Sequence, residues 1–364
     1  MLVAAEGPRL ADVEVVCPLF GHHFTAQTAI ADSAEAALDS DLCKRPPGGS
    51  PYLLSVWTCP YCFFSAYQAD FRGSLDPRFR DLELIHYPLD PKQVEQVDIF
   101  PATKYLNAEA FYRLAGKDAR FLADLTLRGS YACRVAEVEE PPELPELRKS
   151  LRDGILHGER RISVEEVYLD LTADLRKRLE GGEIAADRQR IYRYLLADAL
   201  RQAGERIEAR ALFDALAVDD KLPDAYRKAA RRKAFLCERE GAFQEKALAY
   251  LQEAESAGSL PDDERAIAVY LQGELARRLG RLDAARIQYA RAATQPMAPG
   301  WLAAIIEKQQ GRLPAPAPAP APGGASGDGR GGCRARHGAR TALGRCGPTR
   351  RGGHAKEARC VGSW

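Results

Sequence analysis

Four cysteines fall within 46 residues near the start of the chain: Cys17, Cys43, Cys59 and Cys62. Cys59-Pro60-Tyr61-Cys62 is a C-x-x-C pair, a spacing that lets two thiolates face one metal from a tight turn. Fifteen residues separate Cys43 from that pair, which is half of the C-x-x-C…C-x-x-C zinc pattern. Zinc takes four ligands in a tetrahedron and favours thiolate. Cys17-Pro18-Leu19-Phe20 reads as a second knuckle that has lost one ligand, because the complete pattern wants cysteine where Phe20 stands. Gly21 follows, as a knuckle turn with positive φ favours. The expected ligand set for one structural Zn2+ is therefore Cys17, Cys43, Cys59 and Cys62, with His22 and His23 in reserve.

Three other chemistries fit the same residues. Buried reduced cysteines with no metal are common in protein cores. A redox C-x-x-C would sit at a helix start after a strand with a lowered thiol pKa, and no βαβ pattern surrounds Cys59. A Cys17–His22 nucleophilic pair rests on sequence adjacency alone, whereas catalytic Cys and His meet in space.

The elements that must hold these residues are short at first. Residues 13–25 and 50–58 are β-leaning and aromatic, which suggests a small ribbon closed by metal. Phe63, Phe64, Tyr67 and Phe71 recur at helical spacing and predict a core-facing helix beneath it. Residues 72–102 hold Pro77, Pro88, Pro91 and Pro101 and read as an irregular connector. From Ala102 onward the periodicity is helical. Ser163-Val164-Glu165-Glu166 is a capping-box pattern, and Gly181-Gly182 should end the helix it opens. His86, His157 and Trp57 read as packing or surface residues.

Residues 187–296 carry an internal repeat punctuated by Gly204, Gly241 and Gly280, 37 and 39 residues apart. Ala285, Tyr289 and Ala292 follow Gly280 as Ala209, Phe213 and Leu216 follow Gly204. Gly273 is the small residue at which two helices of a hairpin should approach. The alternation of small and large residues is that of tetratricopeptide hairpins, whose period is near 34; a plain helical bundle is the alternative. The fold class is thus mostly α, a tetratricopeptide-like helical hairpin repeat with a small N-terminal zinc-ribbon-like β element. Its expected divisions are a cysteine domain over 12–71, a helical domain over 102–310, and a disordered tail over 314–364.

The order of features resembles the bacterial family called domain of unknown function 2225. The resemblance rests on Cys17-Pro18, on Asp39-Ser40-Asp41-Leu42-Cys43, and on Trp57-Thr58-Cys59-Pro60-Tyr61-Cys62. Tyr270-Leu271-Gln272-Gly273-Glu274-Leu275 and Arg277-Arg278-Leu279-Gly280 complete it. It covers about residues 12–310 and departs from the family pattern at Phe20, a cysteine there, and at Phe63, a knuckle glycine. It implies a cysteine-knuckle N-terminus and a tetratricopeptide-like body, and no established activity.

Charge is unevenly distributed. Residues 1–310 hold 42 basic and 49 acidic side chains, net −7, and residues 311–364 hold 10 and 2, net +8. An acidic body argues against a nucleic-acid partner. No stretch approaches the ~20 apolar residues of a membrane span, so no membrane partner is expected. The start, MLVAAEGPRLADVEVV, has no charged n-region, and a reduced, cytoplasmic location is expected for the nine cysteines. Residues 314–322 alternate Pro and Ala, a stiff linker, and residues 323–364 are Gly- and Arg-rich with no apolar period.

These features predict an intracellular scaffold that binds a peptide or protein through a helical-repeat groove. A zinc-dependent enzyme and a nucleic-acid-binding ribbon are the alternatives; no reaction can be read from the residues. Counting back from the three glycines sets the groove at Tyr194, Arg201, Lys228, Arg231, Arg239, Tyr270, Arg277 and Arg278. A basic, tyrosine-bearing face of this kind suits an acidic peptide or chain terminus. The competing expectation is that these arginines pair with Asp198, Glu238 and Glu274 on their own helices.

Overall fold

The computed structural model describes residues 10–29, 38–46, 50–73, 99–153 and 163–315. The connector over 74–98, His86, His157 and the tail from 316 lie outside them. Two antiparallel hairpins come first. In one, β1 (Leu10–Val16) pairs with β2 (His23–Ala29), Val16 opposite His23. In the other, β3 (Val56–Thr58) pairs with β4 (Ser65–Tyr67), Thr58 opposite Ser65. The connecting loops, 17–22 and 59–64, are therefore of equal length. Alternation along β1 puts Val15 in the core and leaves Asp12 and Glu14 in water.

The aromatic stripe of residues 63–71 does not form one helix. Ser65–Tyr67 is strand, and only α1 (Gln68–Arg72) is helical. Pairing with β3 satisfies the backbone of 65–67, and Phe64 is buried from the loop while Phe71 is buried from the helix. Both rings meet 5.2 Å apart, and Phe64 packs edge-on against Phe111 at 5.1 Å, seating the hairpins on the helical body.

The helices follow from local signals. Pro101 opens α2 (Pro101–Leu114) at a position where its missing N–H costs nothing. Asp118 caps α3 (Ala119–Val135) by accepting the Phe121 N–H at 2.8 Å. After α4 (Glu143–Asp153), the capping box forms at Ser163 and Glu166 and opens α5 (Val164–Glu180). Two hairpins, α6 (Gln189–Gln202) with α7 (Arg206–Ala217) and α9 (Asp262–Arg278) with α10 (Leu282–Ala293), share one turn geometry. Gly204 and Gly280 sit at φ 77° and 78°, and Gly204 N donates to Arg201 O as Gly280 N does to Arg277 O. Gly273 lets α9 and α10 touch: a Cβ there would stand 2.8 Å from the Tyr289 ring.

Gly241 departs from the repeat. It lies inside α8 (Asp224–Ser256), an unbroken helix of 33 residues, and marks no turn. A helical glycine costs only ~1 kcal/mol, and burial of Phe243, Ala247, Leu251 and Ala254 beyond it outweighs that. With α11 (Gly300–Gly311), eleven helices are formed by the described residues.

Two apolar cores result. One runs from Val15 through α2, α3, the second half of α8, and α9 to Ile306; the other joins α4 to α7 with the first half of α8. The cysteine hairpins thus share a core with the helices. Among the described residues, no helix is long and apolar enough to cross a membrane.

Candidate metal centre and the buried ionic cluster

Each hairpin loop is a knuckle built the same way. Cys17 N donates to His22 O (2.7 Å) and Gly21 N to Cys17 O (2.8 Å). Cys59 N donates to Phe64 O and Phe63 N to Cys59 O, both at 2.8 Å. Gly21 (φ 69°) and Phe63 (φ 59°) take the left-handed position that closes each turn. Phe20 thus occupies the place that Cys62 holds in the other loop, and the residue is 37% exposed.

The missing ligand comes from two residues further on. Cys17, His22, Cys59 and Cys62 present one donor atom each, all within 4.8 Å of one another. Cys17 and Cys62 Sγ are 3.6 Å apart, and His22 Nδ1 is 3.8 Å from Cys59 Sγ. Donors at ~2.3 Å (S) and ~2.0 Å (N) from a tetrahedral zinc stand ~3.5–3.8 Å from each other, so the four residues fit such an ion. The His22 ring lies 4.8 Å from that of Tyr61 and 5.9 Å from that of Phe20. Hydrogen bonds from Cys59 and Cys62 hold the Cys17 thiol far below its usual range, while Cys17 pushes the other two up. Three sulfurs and an imidazole this close together could hold a metal ion.

Cys43 is not part of the group, which corrects the expected ligand set. It is fully buried, its Sγ lies 3.8 Å from Lys44 O, and desolvation raises its pKa steeply. Its loop turns away because Asp39 N pairs with Cys43 O (3.0 Å) and Leu42 closes the turn at φ 67°. His23, the first residue of β2, is exposed and outside the group.

That loop plugs the junction of the two cores. Asp41 is wholly buried between Arg134 and Arg278. Burial opposes its charge, but the two guanidinium groups hold its pKa near about 2. Asp39 receives Arg45 Nε at 2.6 Å and the Glu165 N–H at 3.0 Å, yet desolvation raises it to about 6. Ser40 Oγ stands within hydrogen-bond reach of both Glu165 (2.9 Å) and Glu274 (2.7 Å), with one proton to donate, and Tyr131 and Tyr270 donate to the Asp41 and Ser40 carbonyls. Glu240 pairs with Arg134 at 2.8 Å from α8.

This cluster takes in much of the expected groove and corrects it. Tyr270 and Arg278 are buried on the loop, and Arg277 pairs with Glu274 at 2.9 Å. Tyr194 is buried with its hydroxyl on Glu140, and Arg201 donates to the Arg134 carbonyl at 2.6 Å. These five side chains are buried rather than spread along an exposed groove. Lys228 and Arg231 are exposed, the first paired with Asp224 at 2.9 Å, and Arg239 lies over the Phe235 ring at 4.8 Å. The same-helix pairing expected with Asp198 and Glu274 is present (Arg201 to Asp198, 3.5 Å), whereas Glu238 pairs across to Arg210. The one sequence signal for the cluster was an arginine, Arg134, inside the otherwise apolar run Tyr131–Val135, together with two aspartates flanking Ser40.

No curated protein and no solved structure matches the chain. Residues 10–119, which span both knuckles, the Asp39–Cys43 loop and α2, match the family model described as an uncharacterized protein conserved in bacteria (DUF2225).

Proposed function

We propose that the chain is a zinc-stabilised scaffold, with one structural Zn2+ closing the two knuckles onto a tetratricopeptide-like helical body. The observation that carries this is the convergence of Cys17, His22, Cys59 and Cys62 within 4.8 Å. Three thiolates and one imidazole complete zinc's preferred four-coordinate shell and leave no position for a substrate or reactive water. A catalytic zinc keeps one open, so the donor set favours a structural ion over the enzyme alternative. The net charge of −7 over residues 1–310 weighs against the nucleic-acid alternative.

The ion has structural work in this reading. A hairpin as short as β3–β4 is not stable by itself. A metal bridging both knuckles locks their register together and adds its binding energy to folding. The paired helices α6–α7 and α9–α10 are helical hairpins, and such units in repeat proteins offer extended surfaces to protein or peptide partners, which supports this reading. A reducing, cytoplasmic location keeps the thiols available for metal.

The test is metal analysis of the full chain purified under reducing conditions, with co-purifying proteins identified by mass spectrometry. One zinc per chain, lost in Cys62→Ser, supports the reading. A stably folded chain carrying no metal would sink it.

A further inference from the structure

A cavity of about 280 Å³ opens where the turns after α6 and α9 meet the end of α11. Its walls carry four arginines, Arg206, Arg277, Arg278 and Arg312, with the carboxylate of Glu205 and the side chain of Ile207. Three of these cations are paired with carboxylates, one of which, Glu205, is itself on the wall. Arg277 and Arg312 share Glu205 at 3.0 and 3.3 Å, and Arg278 is paired with Glu274 and Glu165.

Arg206 is different. Among the described residues it forms no ion pair; its Nε donates to Gln244 Oε1 at 2.8 Å. Its guanidinium packs against α8 at Gly241, where a Cβ would stand 2.6 Å from both Cζ and Nη1. The glycine that breaks the repeat pattern is thus the seat of an arginine without a carboxylate. Burial pushes the Arg206 pKa down against the pull of Glu240 and Glu245, neither of which forms an ion pair with it. Arg278 adds a second unused donor: its side chain is fully buried, and Nη1 has no hydrogen-bond partner. Gly204 makes room for that atom, since a Cβ there would lie 1.5 Å from it.

The backbone adds to the same sign. Arg206, Ile207 and Leu282 on the cavity wall are first-turn residues of α7 and α10. Neither helix has a side-chain cap at its N-cap residue, Glu205 or Arg281. Two positive helix ends therefore meet at a cavity already lined with guanidinium groups.

We propose that this cleft binds a small oxyanion of the phosphate class, free or carried as a monoester on a small molecule, through Arg206, with the buried, unpaired Nη1 of Arg278 adding positive charge at its wall. The planar guanidinium fork matches phosphate oxygens in geometry and charge. The cavity is sized for one compact group rather than a polypeptide. The site lies apart from the cysteine knuckles and stands independently of the metal.

The experiment is calorimetric titration of the full, metal-loaded chain with sodium phosphate and with glycerol phosphate, against sodium chloride at matched ionic strength. Saturable binding that chloride does not reproduce is expected. Tighter binding of the ester identifies a small-molecule ligand, and equal binding identifies free phosphate. Arg206→Gln should weaken binding about tenfold or more, with Arg206→Lys between the two. Ile207→Glu, at a 53% exposed rim residue that the core does not need, should weaken it as well. Absence of saturable binding by the wild type, or unchanged affinity in Arg206→Gln or Ile207→Glu, overturns the proposal.

Discussion

Gly21 and Phe63 occupy the same place in two like turns: each follows a cysteine by four residues, donates its N–H to that cysteine's carbonyl at 2.8 Å, and adopts positive φ. Only Gly21 does so without strain, since a left-handed conformation costs other residues ~1–2 kcal/mol. A Cβ on Gly21 would meet nothing within 4 Å. Gly21→Ala should therefore cost about 1 kcal/mol from backbone alone. Urea unfolding of the metal-loaded variant measures it, and a midpoint equal to the wild type's would contradict the shared turn geometry.

The ligand set separates Cys43 from the other three cysteines. Cys17→Ser, Cys59→Ser, Cys62→Ser and His22→Ala should each lower zinc content, while Cys43→Ala keeps one ion per chain and His23→Ala leaves both metal and stability unchanged. Chelation should lower the unfolding midpoint of the wild type, because structural zinc contributes on the order of 10 kcal/mol in small zinc domains. Elemental analysis beside thermal unfolding reads both quantities.

Asp41 compensates two buried arginines, Arg134 and Arg278. Asp41→Asn leaves them short of charge and should cost ~3–5 kcal/mol at pH 7. Its folded pKa of about 2 lies below the unfolded value near ~3.9. The stability it contributes is thus present above pH ~4 and lost as pH falls toward 2. The gap between variant and wild type should narrow over that window, as measured by denaturant titration at each pH.

Asp39 works in the opposite sense. Its folded pKa, raised to about 6, favours the protonated form, so its contribution is full below pH ~4 and is lost as pH rises through 6. Asp39→Asn should remove a decline of on the order of 2–3 kcal/mol between pH 4 and 6. A stability profile with the same slope in variant and wild type would contradict the burial of that carboxyl.

Gly273 faces the Tyr289 ring, whose hydroxyl donates to Glu274 at 2.6 Å. Gly273→Ala must push that ring aside, an overpacking cost of ~1–3 kcal/mol that exceeds the ~1 kcal/mol gain in helix propensity. Net destabilisation in chemical unfolding is the expected result.

Local chemistry was legible in the residues themselves. The C-x-x-C pair, the damaged knuckle at Phe20, the capping box at Ser163 and the glycine at the α9–α10 contact all depend on neighbours within a few positions or on one helix pair. The helical character of the body followed from periodicity for the same reason. His22 could be named as a reserve ligand because it stands five residues from Cys17.

Which cysteine is left out was decided in three dimensions. Cys43 and His22 are both close in sequence to a knuckle, and only the pairing of β1 with β2 and of β3 with β4 brings His22 to the sulfurs. The fate of the arginines was also tertiary. Arg278 is met by Asp41 from a loop some 230 residues from Tyr270, Arg277 by Glu205 from another helix hairpin, and Arg201 by the carbonyls of Cys133 and Arg134. Gly241 makes the same point: its sequence spacing reads as a turn, and its place beneath Arg206 becomes visible only when α7 is packed on α8. Long-range charge pairing and close backbone approach leave no period in a sequence, so the fold alone supplied them.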